Sequence, residues 1–159
     1  MFIDDATTYA LGDTGPGGGI VFYLTPGTNG TQGLEAAPVD QSSGIEWGCI
    51  NRAVGGTTYA IGTGLANTNA IINECGTGTA AGIAASYISP TGYSGWYLPS
   101  INELNQLYNS HTVIPASNIY WSSTEGYTSS FAWSQYMDNE QSGSSLRDYQ
   151  LFVRAVRPF

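Results

Sequence analysis

Apolar residues along this chain come in short runs separated by turn-forming residues. Ile20-Val21-Phe22-Tyr23-Leu24, closed by Pro26-Gly27, predicts a first strand. Leu34-Glu35-Ala36-Ala37-Pro38 and Ile45-Glu46-Trp47-Gly48-Cys49 predict two more short strands. The pattern then changes period. Residues 63–75 place Leu65, Ile71, Ile72 and Cys75 at three- and four-residue spacings, as on one helix face. Residues 80–87 predict a second short helix, stopped by Pro90. Ser100-Ile101-Asn102-Glu103 is a capping box, in which Ser100 and Glu103 each satisfy the other's backbone N–H. It opens a helix whose apolar face is Ile101, Leu104, Leu107 and Tyr108. Residues 119–123, 131–137 and 151–157 return to strand patterning, and the polar, glycine-punctuated stretch 138–150 predicts a loop with an edge ribbon. Strands, helices, strands in that order predict an α+β fold with one antiparallel sheet built from both chain ends. Residues 1–11 read as a lead-in and 12–159 as a single domain.

Composition narrows the partners. The chain has 159 residues and a formal net charge of -8, with four arginines, no lysine and twelve Asp plus Glu. Non-specific nucleic-acid binding is disfavoured, and no nucleic-acid partner is expected, because neutralising about 6–10 phosphates takes as many cations. A polybasic membrane surface is excluded for the same reason, and no apolar run approaches the roughly 18 residues of a membrane span. Met1-Phe2-Ile3-Asp4-Asp5 lacks the basic flank and apolar run of a secretion signal. Two routes to a surface stay open: as a piece of a longer secreted protein, or as part of a larger particle.

Cys49 and Cys75 have no Cys-x-x-Cys spacing and no neighbouring histidine, which favours a disulfide over a metal site. Such a link contributes about 3 kcal/mol. Two free buried thiols are the alternative. Zinc is disfavoured, since His111 is the only histidine.

Three ordered stretches carry a family likeness. They are Gly12-Asp13-Thr14-Gly15-Pro16-Gly17-Gly18-Gly19-Ile20-Val21-Phe22-Tyr23, then Trp96-Tyr97-Leu98-Pro99-Ser100 with Glu103-Leu104, then Tyr120-Trp121-Ser122-Ser123-Thr124-Glu125 closing with Val153-Arg154-Ala155-Val156-Arg157. Together they resemble the Lcl C-terminal domain family, the last domain of bacterial collagen-like adhesins. The resemblance implies a C-type-lectin-like fold, also similar to formylglycine-generating enzymes, with neighbouring chain ends. It further implies a homotrimer displayed on a bacterial or virion surface and binding sulfated glycosaminoglycans. Related domains are the variable proteins of diversity-generating retroelements, diversified near the C-terminus. Here Arg147, Arg154 and Arg157 fall within eleven residues, so a trimer could gather their charges, but the acidic whole opposes polyanions.

The candidate ligand surface lies between Trp121 and Gln150: Glu125, Tyr127, Trp133, Gln135, Tyr136, Asp138, Asn139, Glu140, Arg147, Asp148 and Tyr149. Aromatics add contact area at small entropic cost, and amides adapt their hydrogen bonds. Core packing competes for Trp121, Phe131 and Trp133, and is favoured for Trp121 and Trp133. Asp138, Asn139 and Glu140, with Asp148, offer oxygens for calcium, the one cofactor the residues suggest; a solvated acidic loop is the favoured alternative. Arg154 and Arg157 read as ion-pair or inter-subunit residues, and His111 as surface. Catalysis finds little footing. His111 has no signature around it, Ser122-Ser123 lacks the Gly-x-Ser-x-Gly elbow, and Glu103, half of one imaginable carboxylate pair with Glu125, is better explained by capping. The chain therefore reads as a non-enzymatic recognition domain. A cell-surface glycan is the first choice of ligand and a protein receptor the second; a structural trimerising cap is the alternative role.

Overall fold

The computed structural model describes residues 6–110, 118–139 and 141–159. His111 and Glu140 lie outside them. The fold is α+β, as the order of patterns predicts, but its strands form two sheets rather than one. Strands β1 (Ile20–Leu24), β2 (Gly33–Ala36) and β8 (Val156–Pro158) form a three-stranded antiparallel sheet in the order β1-β2-β8. The larger sheet has the order β3-β7-β4-β5-β6, from β3 (Ser42–Ile45), β7 (Leu151–Val153), β4 (Ile119–Glu125), β5 (Phe131–Tyr136) and β6 (Ser142–Leu146). Its β4–β7 pair is parallel and its other pairs antiparallel. Between the strands lie α1 (Gly64–Cys75), α2 (Ala80–Ala85) and α3 (Ile101–Asn109). No helix among the described residues is long and apolar enough to cross a membrane.

The single final strand expected over 151–157 is divided because Arg154 and Ala155 cross from one sheet to the other. Their backbone is satisfied on the way: Ala155 N–H donates to the Gln41 side chain at 2.5 Å and its carbonyl accepts from Ala37 at 2.9 Å. The third strand sits earlier than its apolar run suggests. Gly48, Cys49 and Asn51 all have left-handed backbone (φ 86°, 57° and 59°), which turns the chain out of extended geometry. A side chain at Gly48 would also strike Thr79. The predicted edge ribbon within 138–150 is present as β6.

Helix α3 begins where the capping box places it, with both reciprocal bonds formed. Helix α1 differs from its reading. Leu65 is exposed, and the buried face carries Asn67 and Thr68 beside Ile71. Both polar residues are satisfied. Thr68 Oγ1 donates to the Leu98 carbonyl and accepts from its N–H, and Asn67 bonds both polar groups of the Thr58 backbone.

Two apolar clusters hold the layers together. One gathers Trp47, Ile71, Trp96, Leu98 and Trp121 between the large sheet, α1 and α2. The other gathers Phe22, Leu34, Tyr97, Leu104, Leu107 and Tyr120 between the small sheet and α3. The glycine-rich turn before β1 has a structural job. Gly17 and Gly19 donate their N–H groups to the fully buried Glu35 carboxylate at 2.9 and 2.7 Å, and a Cβ at either position would collide with it. The segment before β1 reaches the last residue, with Tyr9 edge-on against Phe159 at 5.0 Å.

Candidate functional site

Cys49 and Cys75 are joined, tying the start of the segment 50–62 to the end of α1. That segment has no regular structure, so its backbone groups must find partners elsewhere. They find them on one face of β4, α1 and α3. Val54 and Gly55 donate their N–H groups to Glu125 at 2.9 and 2.8 Å. The Thr58 carbonyl accepts from Thr124 Oγ1 at 3.0 Å, the Tyr59 carbonyl from Asn102 N–H at 3.1 Å, and the Ala60 carbonyl from Ser100 Oγ at 2.9 Å. Gly62 N–H donates to Glu103 at 3.1 Å.

Arg147 anchors this arrangement from below. Its side chain is fully buried, with the guanidinium 4.3 Å from the centre of the Trp47 ring. Nε donates to Phe131 O, Nη1 to the carbonyls of Cys49 and Arg52, and Nη2 to Glu125 at 3.1 Å. Burial alone would raise the Glu125 pKa; the N–H groups of Val54 and Gly55 and the Arg147 charge outweigh it and hold the carboxyl below its ordinary range. Burial draws the Arg147 pKa down, against the pull of Glu125. Glu103 has no such cation. Burial pushes its pKa up, against hydrogen bonds from the Ser100 and Gly62 backbones and the Tyr97 hydroxyl.

The pinned segment brings Tyr59 onto β5. There the Trp133 indole lies between two tyrosines, with ring centres 6.0 Å from Tyr59 and 5.8 Å from Tyr127. Tyr127 is 81% exposed and Tyr59 49%. Trp133 is half-buried, whereas Trp121 is wholly core, as favoured for it. The three rings form an aromatic face next to the β4–β5 turn.

The sequence-predicted set does not assemble as one surface. Tyr127 and Trp133 share the aromatic face. Glu125 lies at its edge, engaged with the loop. Asp148 and Tyr149 are exposed in the turn after β6, on the same side as Glu125 and beside Arg147. Tyr136, Asp138 and Asn139 are exposed at the other end of β5, about 17 Å along the strand. Two members need correcting. Arg147 has no accessible side-chain surface; its guanidinium is turned inward onto the carbonyls of Cys49, Arg52 and Phe131 and onto Glu125. Gln135 is buried too, donating to the Tyr136 carbonyl at 3.0 Å and accepting from Asn105 at 3.5 Å. Glu140 lies outside the described residues, and among those described no group of three or more His, Cys, Asp and Glu is placed to hold a metal ion. Tyr59 was missed: it belongs to no periodic element, and only its tertiary contacts with α3 and Trp133 put it in the site.

The arginines do not form a cationic surface. Arg52 pairs with Glu74 at 3.0 Å, Arg147 with Glu125 at 3.1 Å, Arg154 with Asp40 at 2.8 Å and Arg157 with Glu35 at 3.7 Å. Arg154 and Arg157 are thus ion-paired, as their sequence setting suggests.

No curated protein matches the chain. The profile of the Lcl C-terminal domain family matches residues 37–157, from the end of β2 into β8 and so well over half of the sequence. On that match and the architecture compatible with it, this chain belongs to the Lcl C-terminal domain family.

Proposed function

We propose that this is a non-enzymatic recognition domain, displayed on a bacterial or virion surface, that binds its ligand through the aromatic face of Tyr59, Tyr127 and Trp133. Membership of an adhesin-type family supports surface display and attachment. The observation that carries the location is the tyrosine pair standing in solvent over a half-buried tryptophan, Tyr127 in the β4–β5 turn and Tyr59 on a loop fastened by a disulfide and two carboxylates. Rigid aromatic anchors ringed by neutral polar groups make effective binding surfaces. A glycan is the favoured ligand. Sulfated glycosaminoglycans fit less well than neutral glycans, because all four arginines are already paired and the net charge is -8.

Attachment of the full chain to host cells or bacterial surfaces, measured with Tyr127→Ala and Tyr59→Ala, tests the face. Loss of a hot-spot tyrosine weakens binding by about tenfold with the melting temperature held. Wild-type attachment by the double variant would place the ligand elsewhere. The homotrimer belongs to the same proposal, and light scattering on the full chain reads it directly.

A further inference from the structure

The chain has four tryptophans. Three donate their indole N–H to a backbone carbonyl: Trp47 to Ser122 at 2.8 Å, Trp96 to Tyr93 at 2.9 Å and Trp121 to Ile45 at 2.8 Å. The fourth, Trp133, does not. Its Nε1 is buried and, among the described residues, is the one buried side-chain nitrogen or oxygen without a hydrogen-bond partner. Leaving a buried donor unmet is costly, and native folds retain few such groups. This one sits under the most exposed large hydrophobic side chain described, Tyr127, whose ring reaches it from the β4–β5 turn. Tyr59, on the other side, is fixed through its backbone to α3.

We propose that Trp133 is a stacking platform for an uncharged pyranose, with Tyr59 as its fixed wall and Tyr127 as its movable cover; this rests on the recognition role proposed above and names the ligand's chemistry. The Tyr127 side chain is held by little besides its contact with Trp133, so it can rotate aside without breaking the scaffold. A saccharide entering there lays the C–H face of one pyranose on the indole, and a hydroxyl that reaches past the ring edge accepts the unmet in-plane N–H. Both requirements are met by a neutral saccharide. A sulfated one adds charges that no unpaired arginine is present to receive. A peptide also carries acceptors, but it does not require a flat apolar ring face.

The test uses the full chain with ¹⁵N-labelled tryptophan, which gives four indole N–H signals. The probes are neutral methyl pyranosides and their short oligomers, with a heparin oligosaccharide and an unstructured peptide as contrasts. The expected result is that one indole signal, assigned to Trp133 by its loss in Trp133→Phe, shifts downfield with a neutral saccharide while the other three hold still. Trp133→Phe keeps a ring and removes the N–H, and should weaken that saccharide by up to about tenfold, the net worth of one neutral hydrogen bond. A Trp133 signal unmoved by every neutral saccharide, or moved by heparin or peptide in preference, overturns the proposal. If Tyr127→Ala still abolishes surface attachment in that case, the recognition face stands and only the sugar assignment falls. If Tyr127→Ala attaches like wild type, the recognition face falls with it.

Discussion

The segment 50–62 is fastened at both ends by a glutamate, and the two fastenings differ in charge partner and in burial: Glu103 is fully buried and Glu125 only partly. At the Glu125 end, two backbone N–H groups and the Arg147 guanidinium meet the carboxylate. At the Glu103 end, the Ser100 and Gly62 N–H groups and the Tyr97 hydroxyl meet it, and no arginine pairs with it. The pKa directions follow: down for Glu125, up for Glu103. Similar backbone cradles thus surround two carboxyls whose pKa values move in opposite directions. The complete burial of Glu103, against the lighter burial of Glu125 and the Arg147 charge beside it, sets the sign.

Removing that cation is the most damaging way to break the contrast. Arg147→Ala leaves Glu125 without its charge partner and strips the carbonyls of Cys49, Arg52 and Phe131 of their donor. Breaking a buried pair from one side costs about 3–5 kcal/mol. Urea unfolding should show it, and a loss under about 1 kcal/mol would mean that the latch does not hold the loop.

The disulfide asks whether the two glutamates suffice without a covalent tie. Replacing both Cys49 and Cys75 with serine should cost about 3 kcal/mol. The aromatic face should then loosen, visible as faster amide exchange across 50–62 than across β4. Unchanged exchange would assign the fastening to the carboxylates alone.

The gentlest comparison is titration. Glu125 has a depressed folded-state pKa, so its stabilisation is present above the unfolded carboxylate value of about 4.3 and is lost as pH falls through the folded value. Glu103 has a raised one. Its stabilisation is full below about 4.3 and is lost as pH rises through the folded value. Glu125→Gln should flatten the acid side of the stability profile, and Glu103→Gln the decline toward neutral pH. Thermal melts across that range decide it; slopes of the same sign for both would refute the opposed shifts.

Much of the scaffold is legible in the amino-acid sequence. The apolar run of β1, the capping box of α3 and the strand patterns of β4 and β5 are local signals, and each element formed where its residues place it. The candidate site was legible only in part. Tyr127 and Trp133 stand together, but Arg147 and Gln135 turned inward. Arginine and glutamine are usually exposed, and nothing near 147 in the chain announces that partners at 49, 52, 125 and 131 will draw the guanidinium inward. Tyr59 lay in an aperiodic stretch, where pattern carries no information. The final strand read as one piece because its apolar residues are continuous, while its division depends on Gln41 and Ala37 more than a hundred residues earlier.

By itself, the amino-acid order determined the α+β class, the elements with a clear period or cap, and an acidic chain short of cations and rich in tyrosine. Those properties depend on neighbours a few positions apart or on composition alone. Tertiary structure decided which carboxylate received an arginine, which tryptophan kept an unmet N–H, and which tyrosines stayed in water. Those outcomes depend on groups from 22 positions apart (Arg147 and Glu125) to 98 (Arg147 and Cys49), brought within about 3–6 Å, and no local periodicity encodes a meeting at that separation.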